Sequence, residues 1–103
     1  MTEYYMVFHG GGRPAPEDLD RVIREWTDWY ADMGDTVVWE GGGAGLSKTV
    51  GPDGVTDDGG ANPISGVTVI RADTIEDACA IARGCPSVKD GTGSVEVAER
   101  LQM

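Results

Sequence analysis

The sequence predicts an α+β fold: a ferredoxin-like βαββαβ chain with an antiparallel sheet and two helices on one face. Three observations carry this. Residues 66–98 read as strand, short helix and strand. Residues 4–39 repeat that order with a longer helix. Between the halves lies a stretch rich in Gly, Asp and Pro that reads as an extra hairpin and loop between strands 2 and 3, not as a linker between domains. Two β-α-β units joined this way give the split βαβ arrangement within one domain, residues 1–103.

The first strand is Tyr4-Tyr5-Met6-Val7-Phe8-His9, rich in aromatic and β-branched residues and closed by Gly10-Gly11-Gly12. Tyr4, Met6 and Phe8 share one face; Tyr5, Val7 and His9 share the other. Both faces are largely apolar, so the strand is expected to be covered on both sides. Pro14 and Pro16 introduce the first helix, with Glu17 and Asp18 in its first turn, where the helix dipole favours negative charge. Leu19, Val22, Ile23, Trp26, Tyr30 and Met33 form its apolar stripe, Trp29 lies at the margin, and Gly34 ends it. Thr36-Val37-Val38-Trp39 is the second strand. In the following loop, Leu46 to Val50 and Val55 to Asp57 flank the turn Gly51-Pro52-Asp53-Gly54, a protruding hairpin.

Val67-Thr68-Val69-Ile70 is the third main strand. Asp73, with Glu76 three residues on, reads as the N-cap of a helix from Thr74 to Arg83. Ile75, Ala78, Cys79 and Ala82 repeat at helical spacing and are expected to pack on the sheet. Gly84 is expected to end this helix in a left-handed conformation, with Pro86 forbidding continuation. Ser94-Val95-Glu96-Val97-Ala98 alternates as the last strand.

Eighteen acidic against 8 basic residues give a net charge of −10. That excludes nucleic acid and anionic membranes as expected partners, because phosphate binding needs a basic surface. Cys79 and Cys85 are too few for a disulfide scaffold and read as buried free thiols of a reducing compartment. The N-terminus carries no basic region followed by a long apolar run, and no later run is long enough to span a bilayer, so the expected location is cytoplasmic.

Little of the chain carries a chemical signature. His9-Gly10-Gly11-Gly12 resembles the oxyanion loop of lipases, but no serine sits in a G-x-S-x-G elbow. Gly42 to Thr49 resembles a degenerate P-loop, yet Ser47 replaces the second glycine and Thr49 leads into Gly51-Pro52 rather than a helix. One histidine, two cysteines and scattered carboxylates match no metal-ligand spacing, and no cofactor is indicated. His9 is the only side chain whose ordinary pKa suits proton transfer near neutrality. Asp57 and Asp58 are the loop carboxylates available to orient it.

Ordered features along the whole length resemble YCII-related proteins, the group that includes DGPF-domain proteins. They are Tyr5-Met6-Val7-Phe8, the Trp-bearing first helix, Ser47-Lys48-Thr49-Val50, Asp58-Gly59, Asn62-Pro63, Ser65-Gly66, Ala72-Asp73-Thr74, Gly84-Cys85-Pro86 and Val95-Glu96-Val97. Gly60 and Ala61 stand where the DGPF signature has Pro and Phe. The resemblance implies a dimeric α+β barrel, a homodimer whose paired sheets enclose a cleft. It agrees with the doubly apolar first strand, whose open face a second copy would cover. The expected function is binding of a small organic molecule in that cleft, with Tyr5, Trp39 and Ser65 as ligand contacts. The alternative is a small cytosolic enzyme of isomerase or lyase type, in which His9 with Asp57 or Asp58 moves a proton on a cyclic substrate.

Overall fold

Strand β1, Thr2–Gly10, runs through the interior of the sheet, between β5, Ile64–Ala72, and β6, Gly93–Glu99. The computed structural model describes residues 1–102. A 3-10 turn, Pro16–Asp18, leads into helix α1, Leu19–Met33, and then into β2, Val37–Gly43, on the far side of β5. The sheet order is β2-β5-β1-β6, and all three neighbouring pairs are antiparallel. Each β-α-β unit therefore leaves a gap that a strand of the other unit fills. Strands β3, Thr49–Gly51, and β4, Gly54–Thr56, form the separate hairpin expected around Pro52 and Asp53. The class is α+β. Among the described residues no helix is long and apolar enough to cross a membrane.

Register sorts the side chains. Tyr4, Met6 and Phe8 stand opposite Ile70, Thr68 and Gly66 on β5, and opposite Glu99, Val97 and Val95 on β6. This face packs on Trp29 and Met33 of α1, on Ala78 and Ala82 of helix α2, Ile75–Ala82, and on Cys85. Met6 and Ile70 are fully buried there. The alternate residues, Tyr5, Val7 and His9 with Val69 and Val67, point away from all the helices.

Several local expectations are corrected. In α1, Trp29 is central to packing rather than marginal, while Leu19 and Ile23 are 47% and 53% exposed. Only the C-terminal half of this helix reaches the core; the first half stands off the sheet. The cap of α2 is Thr74, not Asp73: its hydroxyl accepts from the Asp77 amide at 3.1 Å. Cys79 is exposed, and Cys85 is the buried thiol; both are free. Gly84 has no left-handed backbone. A Cβ there would lie 3.1 Å from Trp29 Nε1, a tight contact, so the glycine lets the indole pack close to the chain. Pro86 does not simply stop a helix. It opens a new one, α3, Pro86–Lys89, at the first position, where its missing N–H leaves nothing unsatisfied.

Strand β2 extends four residues past Trp39, across Glu40 and three glycines. Gly41 makes this possible. Its φ is +67°, at an irregularity between Trp39 and Gly42, and a Cβ would collide with the Val67 carbonyl.

Candidate functional site

Because α1 touches the core only through its second half, space opens beneath its first. A cavity of about 550 Å³ lies there, between Val22, Trp26 and Tyr30 of α1 and a floor made by Phe8, Gly42, Gly43 and Gly66. The glycines allow it: side chains at the bulged end of β2 and at Gly66 would fill the space. Gly66 also faces Phe8, whose ring a Cβ would approach to 3.3 Å. Phe8 meets Trp26 edge-on, with centroids 5.6 Å apart, and Trp26 lies 6.4 Å from Tyr30 at a shallow angle.

A buried hydroxyl chain fixes one wall. Thr68 donates to the Glu40 carbonyl at 2.8 Å, so its single proton is engaged and Tyr30 must donate to Thr68, at 2.6 Å. This ties α1 to β5 and β2. Burial raises the Tyr30 pKa above its ordinary 10.0; the Thr68 bond opposes the shift, and the negative charge of Glu40 adds to it. At the opposite rim, Asp90 accepts from the hydroxyl and the amide of Thr92, which lower its pKa, with Arg21 contributing. Arg21 is itself engaged by Glu25 and by Asp18.

His9 lies elsewhere, on the sheet face away from the helices, and is 9% exposed. Its Nδ1 is 3.0 Å from the Asn62 carbonyl, which only accepts, so Nδ1 carries a proton. Its Nε2 is 3.1 Å from a carboxylate oxygen of Glu96. The loop does hold the histidine, but through a main-chain carbonyl. Asp57 and Asp58 are not its partners: Asp57 pairs with Lys48 at 2.9 Å, and Asp58 accepts from the Gly60 amide at 3.0 Å. Both are exposed turn residues of the hairpin segment.

The expected ligand contacts divide. Tyr5 and Trp39 flank Val69 on the open face, one from each neighbouring strand. Ser65 belongs to the cavity on the opposite side of the sheet. Glu96, Tyr30 and Glu40 were missed. Glu96 carried a signal, since it sits at a solvent-facing position of an alternating strand, but only the β1–β6 register brings it diagonal to His9.

No family model matches the chain, and no curated protein is detectably similar to it.

Proposed function

We propose that this protein binds a small organic molecule in the cavity between α1 and the sheet, and that it does so as a homodimer joined through the open sheet face. The observation that carries the binding reading is the cavity itself. Its volume falls within the range of small-molecule sites, and its walls combine aromatic surface with a few polar groups. The exposure of Leu19 and Ile23 on the same half-helix supports it, because α1 has not spent its apolar stripe on the protein's own core.

The test is a small-molecule screen read by tryptophan fluorescence, repeated on Val22→Trp. Val22 is half-buried and faces the cavity, so the larger ring should occupy it and weaken hits at least about tenfold, about 1.4 kcal/mol. Hits that bind Val22→Trp unchanged would move the site elsewhere.

The strand order and the antiparallel pairing support a ferredoxin-like arrangement, and with it the dimeric α+β barrel reading and kinship with YCII-related proteins. A second functional reading rests on the His9–Glu96 pair. An imidazole with one nitrogen tethered and the other 3.1 Å from a carboxylate has the parts of a proton-transfer site. In this reading Glu96 takes the role first expected of Asp57 or Asp58, and a small cyclic molecule lies against Tyr5 and Trp39 in the dimer cleft. It requires the second copy to enclose the substrate, so a monomeric protein would remove it.

A further inference from the structure

Resting on the reading of the cavity as a binding site, we infer that its ligand is an organic cation, a substituted ammonium or protonated amine with an apolar body. Phe8, Trp26 and Tyr30 present ring surface from two elements to one half-open space, where aromatic rings attract a cation. Glu40 stands at the Tyr30 end of that space. It lines both the cavity and the shallow groove that continues between α1 and β2, so it sits at the opening. Its carboxylate has no hydrogen-bond or ion-pair partner among the described residues.

The other charges leave this balance in place. Arg21 is already paired with Asp18 and Glu25. Asp90 is held by two bonds from Thr92. Arg13, at the far rim beside the Gly10 to Gly12 loop, is the one cation lining the cavity without an ion pair among the described residues. An anionic ligand would have to use it against the field of a chain with net charge −10, whereas a cation is drawn in by that field.

The experiment titrates the protein with three probes of similar size: benzyltrimethylammonium, benzyl alcohol and phenylacetate. The cation should bind about tenfold more tightly than benzyl alcohol, and phenylacetate more weakly than either. Added salt should weaken the cation and leave benzyl alcohol unchanged. Glu40→Gln, an exposed substitution that keeps the fold, should remove most of the cation's advantage while benzyl alcohol binding stays within about twofold. Equal binding of cation and alcohol, or tighter binding of phenylacetate, would overturn the inference while leaving the cavity as a binding site, and a cation preference that survives Glu40→Gln would overturn the part given to Glu40. Failure of all three probes to bind would remove both.

Discussion

Tyr30 shows how much one side chain depends on partners that no local pattern reveals. In the sequence it is one of six stripe residues of the first helix; in the fold it closes a hydroxyl chain and forms a cavity wall beside Glu40. Its raised pKa gives a pH prediction with a definite sign. Burial favours the neutral phenol, so the folded value exceeds the unfolded one. The associated stability is complete below the unfolded value near 10.0 and is lost as pH rises through the folded value. Following the Tyr30 ring by NMR should give a midpoint above 10.0, and Glu40→Gln should lower it without abolishing the shift, since burial remains the larger cause. A Tyr30 midpoint indifferent to Glu40→Gln would place that carboxylate away from the cavity. His9 was legible as the one imidazole at a strand exit. Its partner was not, because Glu96 is 87 residues away and only strand pairing joins them.

At the scale of elements, the strands and helices were legible where periodicity was long and the punctuation was glycine or proline. The hairpin at Pro52 and the α1 stop at Gly34, with φ +53°, are such cases. Helix α2 shows the limit. Over eight alanine-rich residues, Ile75-Ala78-Cys79-Ala82 and Ala78-Ile81-Ala82-Cys85 both keep helical spacing, and small side chains cannot say which set faces the sheet. The second does: Ala78, Ala82 and Cys85 are buried, and Ile75 and Cys79 are exposed. The cap was ambiguous for a like reason, since Asp73 and Thr74 are both good capping types. The observed Thr74–Asp77 bond decides between them. Thr74→Ala should therefore cost about 1 kcal/mol in urea unfolding, and Asp73→Ala no more than about 0.5 kcal/mol. The reverse order would mean that Asp73 is the cap.

At the scale of the whole molecule, the cavity could not be read from the chain, because it arises from how α1 leans: anchored at Trp29 and Met33, and open at Val22 and Trp26. The apolar open face could be read, from the alternation in the first strand, and it leads to the prediction about assembly. Tyr5 and Trp39 are 37% and 59% exposed on that face, around a Val69 that is already 2% exposed, with Val7 and Val67 half-buried beside them. A stable interface takes about 800 Å² from each partner, and the open face spans all four strands of the sheet. Light scattering at micromolar concentration should therefore return twice 10.9 kDa. Tyr5→Glu, which puts a charge at the centre of the face without touching the core, should shift the mass toward one copy while far-ultraviolet circular dichroism is unchanged. Two chains of net charge −10 repel, so added salt should tighten the dimer, opposite in sign to its effect on a bound cation. A mass of 10.9 kDa that Tyr5→Glu and salt leave unaltered would show the open face standing free in water, and with it His9 and Glu96 without an enclosing cleft.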